Sequence, residues 1–305
     1  MIIYKYLNEN GARDTLKSGK VLLKCPTEYN DPFDCYFYFD KEDKDNAYRL
    51  FLNYHLFLAL YNQMVAREKG LDSVKTYQKY WKKSDILKVQ KETKENNEYV
   101  FQQSIDTLPE YIYRALNKKP IELKKMFNKM LNGLPDKLRG MVIASCFGQT
   151  YDSILMWAHY AHNHAGACIE YEIDDKDFKE VKYSEELQKF DITKALIVIF
   201  GHEFLNKEID AEKPEYSFLL DPLLTKSDIW KYEDEIRFAY SKNKPREGIS
   251  HEDDKYLLKI SPKRVFLGLR AEKGFVKEIK ELANGIPVLK MKQLKNKYGL
   301  VAEKI

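Results

Sequence analysis

Residues 145–173 read SCFGQTYDSILMWAHYAHNHAGACIEYEI and gather more chemically functional side chains than any other stretch of the chain. The apolar start of this stretch predicts a strand, and residues 167–173 predict a second one. Between them, Asp152 or Ser153 is suited to cap a short helix, and Gly166 is suited to end it in a left-handed conformation. The stretch therefore predicts a strand, a short helix and a strand, with polar and aromatic groups concentrated on the helix.

The sequence on both sides of this stretch predicts an α+β fold. Residues 41–138 carry apolar residues at spacings of three and four with Lys and Glu between them, which indicates amphipathic helices. Further strand-like runs occur at residues 2–6, 21–25, 256–260, 264–269, 288–292 and 299–305. We predict one α+β domain over residues 1–305, with a small mixed or antiparallel β core and a helical insertion at 41–138.

The composition is that of a globular protein with balanced charge. Hydrophobic residues make up 44% of the chain, and 51 basic residues against 47 acidic ones leave a formal net charge of +4. So small an excess gives no long-range field that would argue for a nucleic-acid partner. The N-terminus lacks a secretory pattern, and no window holds the roughly 18 apolar residues that a membrane span needs. We expect a cytoplasmic protein without a membrane partner.

The cysteines and the known sequence motifs exclude several classes of site. The four cysteines lie at positions 25, 35, 146 and 168, without CxxC spacing, which is typical of buried thiols in a reducing compartment. Of the histidines, only His159, His162 and His164 approach the spacing of zinc ligands, and we predict no metal. Patterns of the P-loop, Rossmann, GxSxG and HExxH types are absent, which argues against the corresponding nucleotide-binding proteins, serine hydrolases and zinc proteases.

The predicted helix carries the first group of candidate site residues. Tyr160 and His164 share one helical face with Trp157 beside them, whereas His159 lies on another face. Such side chains can stack on a ligand ring and donate hydrogen bonds to it. They can equally belong to a buried helix whose aromatic groups pack and whose histidines bind backbone carbonyls. Both interpretations stay open, because each of these polar groups would need a partner if it were buried.

The second group lies in the segment KSDIWKYEDEIRFAY, residues 226–240. Its alternation predicts a strand on which Glu233, Glu235 and Arg237 project from one face. Two carboxylates placed in this way repel each other, so at least one is held by a cation such as Arg237 or a lysine, or acts on a substrate. A structural ion pair is the simpler interpretation.

The third group follows the second predicted strand, in the sequence NDPFD of residues 30–34. Asn30 and Asp31 precede Pro32, whose ring restricts the residue before it, so the segment is well suited to a turn. Alternatively, Asn30, Asp31 and Asp34 present polar groups at the end of a strand, where ligand-binding loops often lie.

Three blocks of residues together carry a family resemblance. The blocks are Asn30-Asp31-Pro32-Phe33-Asp34; Ser145-x-Phe147 with Met156-Trp157-x-His159-Tyr160 and His164-x-Gly166; and Lys226-x-x-x-Trp230-x-Tyr232-Glu233-x-Glu235-x-Arg237. In this order they resemble the bacterial family known as domain of unknown function 2971. The resemblance covers the chain apart from the helical insertion, and it implies no established reaction.

A more distant resemblance is to the ADP-ribosyltransferases. Those enzymes have a His or Arg on the first strand, a Ser or Tyr on a middle strand and a glutamate on a late strand, often within E-x-E. Lys5, Ser145 or Tyr160, and Glu235 follow the same order, although Lys5 replaces the usual His or Arg. The resemblance implies a related β core and NAD as the substrate, with Glu235 stabilising the positive charge that develops on the ribose.

The resemblance also implies roles for the remaining residues. Tyr160 and Trp157 would stack on the nicotinamide, and Lys5 or Arg237 would lie near the pyrophosphate. The candidate catalytic residues are Glu235, Glu233, Tyr160 and Ser145, and the candidate ligand-binding residues are Lys5, Asn30, Asp31, Trp157, His159, His164, Trp230 and Arg237.

We expect an NAD-dependent ADP-ribosyltransferase or an NAD-hydrolysing effector, acting as a toxin or in phage defence. The acceptor of ADP-ribose would be protein, nucleic acid or water. One alternative is a non-catalytic sensor that binds a nucleotide or a protein through the same residues. Another is a nucleic-acid-processing protein, which the aromatic residues set among lysines in the helical insertion suggest.

Overall fold

The computed structural model describes residues 1–68, 119–174, 178–205, 218, 221–242 and 246–305, in which two compact units are present. The first unit comprises Met1–Tyr36, Asp136–Leu187 and Asp221–Ile305, and the second comprises Phe37–Pro135 and Gln188–Leu220. Residues 69–118 of the predicted helical insertion lie outside the described residues. The extent of that insertion and the single-domain organisation therefore stay predictions.

The strands are short and belong mostly to the first unit. They are β1 (Ile2–Leu7), β2 (Lys20–Leu23), β3 (Phe37–Tyr38), β4 (Val142–Gly148), β5 (Ala167–Glu172), β6 (Phe178–Glu180), β7 (Lys182–Ser184), β8 (Gln188–Lys189), β9 (Thr225–Ser227), β10 (Glu235–Ser241), β11 (Ile249–Glu252), β12 (Lys255–Lys259), β13 (Pro262–Leu267), β14 (Val288–Gln293) and β15 (Leu300–Lys304). The α-helices among the described residues are α1 (Glu9–Ser18), α2 (Lys41–Glu68), α3 (Pro120–Gly140), α4 (Ile154–Tyr160), α5 (Ile192–Leu205) and α6 (Lys273–Leu282).

The first unit is built on an eight-stranded mixed sheet. Its strand order is β15-β14-β13-β5-β1-β4-β10-β6, and its neighbouring strands are antiparallel except for the parallel pair β13 and β14. A three-stranded sheet, β11-β12-β2, and the parallel pair β7-β9 complete the unit. The predicted α+β class is confirmed, with a sheet larger than the small core expected. Nothing in this topology confirms the distant resemblance to ADP-ribosyltransferases.

The two faces of the large sheet carry separate cores, because successive side chains of a strand point to opposite faces. Ile3, Ile169 and Val265 lie on one face in a buried cluster that includes residues of α1 and α6. Tyr6 and Cys168 lie on the other face, in a cluster that includes residues of α4. The predicted strand, helix and strand passage is present as β4, α4 and β5, and it places α4 over the second face.

The end of α4 differs from the prediction. The helix begins after Ser153, whose hydroxyl accepts a hydrogen bond from the Met156 amide, and it ends at Tyr160 rather than near residue 164. His162, Asn163 and His164 then adopt positive φ angles of 47°, 52° and 71°. The prediction that Tyr160 and His164 share a helical face is therefore wrong, since the chain leaves the helix between them.

Gly166 was predicted to end the helix in a left-handed conformation, but the structure requires a glycine here for a different reason. A Cβ atom at this position would lie 2.1 Å from the carbonyl oxygen of Leu7. A glycine is therefore required by the close approach of the turn to the end of β1, and not by a left-handed backbone.

The described residues of the second unit form helices and one small pair of strands. In it α2 packs on α5, where the rings of Tyr54 and Phe200 stack with their centroids 4.1 Å apart. Strands β3 and β8 pair in parallel.

Across the described ranges of the chain, no helix is both long enough and apolar enough to cross a membrane.

Candidate functional site

Five buried charged residues of the first unit form one network at the start of β10. The ammonium group of Lys226 lies 2.5 Å from Glu233 Oε2, 3.2 Å from Glu235 Oε2 and 3.5 Å from Asp34 Oδ2. The guanidinium group of Arg237 donates from Nε to Glu235 Oε1 at 2.7 Å. Its Nη1 and Nη2 atoms reach the two oxygens of Asp34 at 3.1 and 3.2 Å. None of the five is more than 7% exposed, so solvent hardly screens these contacts.

A local reversal of the backbone assembles this network. Residues Asp228–Glu233 form a 3₁₀ helix, and Asp234 follows in a left-handed conformation with φ 46° and ψ 55°. Strand β10 then begins at Glu235. The prediction that Glu233, Glu235 and Arg237 project from one strand face holds for the last two and is wrong for Glu233. Glu233 instead reaches Lys226 from the helix, because the turn at Asp234 separates it from the strand.

The network gives its two glutamates different proton affinities. Burial by itself would raise the pKa of Glu235, but the charges of Arg237 and Lys226 lower that pKa to about 2. Burial raises the pKa of Glu233, and the charge of Lys226 opposes this increase only in part. Burial would likewise lower the pKa of Lys226, but the carboxylates around it, Glu235 first, raise it. Glu235 is therefore held ionised, whereas Glu233 is the glutamate that most readily takes up a proton.

Tyr160 connects the buried network to a surface of aromatic side chains. Its hydroxyl donates to Glu233 Oε1 at 2.5 Å, and the residue is half-buried. Burial and then the hydrogen bond to Glu233 raise the pKa of Tyr160, so that its hydroxyl stays a proton donor at neutral pH. The exposed ring of His159 and the ring of Trp230 each have their centroid 6.0 Å from that of Tyr232. Polar and aromatic groups thus meet beside Glu233.

Lys5 and Ser145 lie on the opposite face of the sheet from Glu235. In register Lys5 faces Ile169 and Ser145 faces Phe238, which places both on the face packed by α1 and α6. Lys5 Nζ donates to Ser145 Oγ at 2.8 Å and to the carbonyl of Cys146 at 2.7 Å. Burial lowers the pKa of Lys5. The structure therefore brings these two predicted site residues together, but not with Tyr160.

The Lys5 side chain supplies a hydrogen bond to β4 where the backbones of β1 and β4 are not paired. Strands β1 and β4 share a single register pair, Tyr4 with Gly148, whereas β1 follows β5 along its whole length. The Lys5 ammonium satisfies a carbonyl of β4 where the two strands have separated. This geometry accounts for Lys5 without a ligand.

The NDPFD segment contributes to the network through Asp34, the last of the three polar residues expected at this strand end. Asn30 is exposed, and Asp31 Oδ1 accepts a hydrogen bond from the Phe33 amide at 2.8 Å, which is turn chemistry. Asp34, three residues further on, is the one that pairs with Arg237.

Trp157 and His164 also lie apart from the Glu233 contact. Trp157 is fully buried, and its Nε1 donates to the carbonyl of Tyr151 at 2.7 Å. The ring of His164 is nearly parallel to that of Trp157, with centroids 6.3 Å apart. Trp157 therefore belongs to the core in this structure. Its ring has no exposed face on which a ligand could stack in the way that the sequence predicted.

Three partners of Glu235 and Arg237 were absent from the candidate catalytic and ligand-binding residues, although Asp34 was expected to present a polar group at the end of the second strand. Lys226 and Asp34 stand within the motif blocks that carry the family resemblance, so a signal for them was available. Tyr183, whose hydroxyl accepts a hydrogen bond from the Glu235 amide at 2.9 Å, had no such signal. In the part of the chain that the structure describes, no group of three or more His, Cys, Asp or Glu side chains is arranged to hold a metal ion.

The fold and this network define a mixed α+β protein with a buried ionic site bordered by aromatic residues. Residues 156–238 match the family described as Protein of unknown function (DUF2971). The matched region runs from α4 to Phe238 of β10 and contains Tyr160, Lys226 and Glu233, so the predicted family resemblance is confirmed there. No curated protein and no solved structure is significantly similar to this chain.

Proposed function

We propose that the protein uses NAD as a substrate and cleaves the bond between nicotinamide and ribose, with ADP-ribose passing to an acceptor or to water. The observation that carries this proposal is the contact between Glu233 and Tyr160. It joins a buried carboxyl group of raised pKa to a half-buried hydroxyl, beside the rings of His159 and Trp230. A carboxyl group whose pKa is shifted toward neutrality is a common sign of a catalytic site.

The chemistry of the bond requires a negative charge near the ribose. As nicotinamide leaves, positive charge develops on the ribose, and a preorganised carboxylate stabilises it. Glu233 suits this role better than Glu235, because both oxygens of Glu235 are held by the buried cations Arg237 and Lys226, whereas one oxygen of Glu233 is bonded to the hydroxyl of the half-buried Tyr160. We therefore assign Glu233 to the ribose and treat Glu235 as a positioning residue that holds the Lys226 ammonium.

Tyr160 and the aromatic rings would hold the substrate. The hydroxyl of the half-buried Tyr160 donates to Glu233, and on binding it would exchange this bond for one to a ribose hydroxyl. The rings of His159, Trp230 and Tyr232 offer planar surfaces on which nicotinamide can stack. Effector activity in a toxin or phage-defence setting would then result from loss of cellular NAD or from modification of an acceptor.

The first experiment measures NAD cleavage by the purified full chain. NAD labelled in the nicotinamide reports release, and NAD labelled in the adenine reports transfer to a cell extract. We expect Glu233→Gln to lower the release of nicotinamide by about 100-fold or more, the usual effect of losing one group that stabilises the transition state. Tyr160→Phe should reduce release less. Glu303→Gln, which changes an exposed glutamate on β15, is the matched control and should leave release unchanged.

Folded protein that releases no nicotinamide, with or without extract, would contradict this proposal. The second candidate, a sensor that binds a nucleotide or protein without turnover, would then be favoured. One observation supports that candidate: Glu233 already has a protein partner on each oxygen, Tyr160 on Oε1 and Lys226 on Oε2. Calorimetric binding of NAD that is not consumed, and that is lost in Tyr160→Phe, would establish the sensor.

A further inference from the structure

A sheet edge and a groove lie next to each other at one end of the first unit. Strand β15 is the last strand of the eight-stranded sheet, and no described residue pairs with its outer edge. A groove of about 500 Å³ opens beside its first residue, Leu300. The turn between β14 and β15 and the start of α4 line the rest of the groove. This region takes no part in the network around Glu233.

The hydrogen-bonding groups of the outer edge can be assigned from the pairing of β15 with β14. The Leu294 amide donates to the carbonyl of Gly299 at 3.0 Å, which closes the hairpin. In an antiparallel pair, residues alternate between bonding to the partner strand and pointing away from it. Leu300, Ala302 and Lys304 therefore direct their N–H and C=O groups outward. Such a row is a template for a further strand.

The surface beside this edge carries apolar side chains that solvent reaches. Ile154 and Leu155, at the start of α4, are 43% and 46% exposed, and Tyr298 in the turn is fully exposed. All three line the groove, together with Leu294. Exposed apolar side chains gathered around a concave surface are typical of a binding site.

The hairpin of β14 and β15 beside the groove carries more lysines than acidic residues. Lys292 is paired with Glu303, whereas Lys295, Lys297 and Lys304 form no ion pair with any described residue. Asp152 is the acidic side chain among the lining residues. The unpaired lysines would attract acidic groups of a partner, and the effect would weaken as salt is added.

We propose that β15 and the adjacent groove bind an extended segment of a partner protein that carries both apolar and acidic residues. The segment adds to the sheet beside β15 by main-chain hydrogen bonds to Leu300, Ala302 and Lys304. Its apolar side chains enter the groove, and its acidic side chains lie near Lys295 and Lys297. Strand addition of this kind obtains affinity from the backbone and specificity from alternate side chains.

The test uses the full chain and a defined probe, a fluorescently labelled peptide of alternating leucine and glutamate. Two control peptides isolate the two contributions: one has lysine in place of glutamate, and one is N-methylated at alternate residues so that it cannot bond along one edge. We expect fluorescence anisotropy to show binding of the first peptide that weakens with salt. Each control peptide should bind at least about tenfold more weakly.

Protein variants complete the test. Ala302→Pro removes an outward N–H group on an edge strand, where proline is tolerated, and should weaken binding at least about tenfold. The double variant Lys295→Glu with Lys297→Glu should do the same, whereas Lys277→Glu, an exposed change on α6, should not. Thermal unfolding checks that each variant is folded. If Ala302→Pro does not fold, the N-methylated peptide still tests the backbone contact.

The proposal is overturned if no peptide binds, if the lysine peptide binds equally well, or if N-methylation has no effect. It is also overturned if a single-stranded oligonucleotide binds more tightly than the acidic peptide and loses that affinity in Tyr298→Ala. That result would make the lysines and the exposed ring a nucleic-acid surface instead.

Discussion

At the scale of single residues, Lys226 is the point where the buried carboxylates converge. Its ammonium group contacts Asp34, Glu233 and Glu235, while Arg237 holds the far side of Glu235 and Asp34. Each buried charge has an opposite partner, which is the condition under which buried ions are tolerated. The two glutamates are nevertheless not equivalent, since burial raises the pKa of Glu233 while the cations lower that of Glu235.

This difference predicts unequal effects of neutralising the two glutamates. Glu235→Gln leaves Arg237 and Lys226 buried with less opposing charge, and we expect it to lower the free energy of unfolding by about 3 kcal/mol or more. Glu233→Gln should cost less, because Glu233 tolerates the neutral form more readily. Urea unfolding at neutral pH measures both, with the exposed change Glu303→Gln as a control that should cost under about 0.5 kcal/mol. An equal or larger loss for Glu233→Gln would contradict the assignment.

At the scale of elements, the turn after α4 depends on two glycines that allow close backbone contacts. The Arg270 amide donates to the carbonyl of His164 at 2.8 Å, and the Gly268 amide donates to the carbonyl of Gly166 at 2.9 Å. A Cβ atom on Gly268 would lie 2.1 Å from the oxygen of His164. The left-handed turn and the residues that follow β13 are therefore held against each other by direct backbone contacts.

We predict that Gly268→Ala lowers the free energy of unfolding by about 3 kcal/mol or more, because backbone atoms cannot move aside cheaply. Thermal or urea unfolding measures the loss. Gly133→Ala is the matched control, since a Cβ there meets nothing within 4 Å and alanine favours helix α3. The control should be neutral or stabilising by up to about 1 kcal/mol. Wild-type stability in Gly268→Ala would show that the turn can move without cost.

At the scale of the whole molecule, the network makes stability depend on pH in two opposite ways. The pKa of Glu235 is lower in the folded protein than its ordinary value of 4.5, so its contribution is present above pH 4.5 and is lost as the pH falls toward 2. The pKa of Glu233 is raised, so its contribution is present below pH 4.5 and is lost as the pH rises through the folded value.

Unfolding by urea at a series of pH values tests this expectation. The difference in stability between the wild type and Glu235→Gln should be largest above about pH 5 and should shrink toward pH 2. The difference between the wild type and Glu233→Gln should instead change in favour of the variant as the pH rises above 4.5. If the difference in stability between the wild type and Glu235→Gln did not depend on pH, the lowered pKa of Glu235 would be contradicted.

Much of the fold and part of the site could be predicted from local sequence. Apolar runs and alternation predicted β4, β5 and most of β10, and the two candidate caps, Asp152 and Ser153, marked the start of α4 to within one residue. Tyr160, Glu233 and Arg237 were recognised as candidate site residues because their chemical types are unusual in such positions. These features depend on a few neighbouring residues, so the sequence carries them directly.

What only the tertiary structure decided is which of these side chains meet. Lys5 and Ser145 belong to the face of the sheet opposite Glu235, and Trp157 is buried in the core. Asp34 reaches Arg237 from a position 203 residues earlier in the chain. By itself, the sequence determined the α+β class and the local elements. The pairing of distant strands decided the site, because a shift of one residue in register moves a side chain to the other face of a sheet.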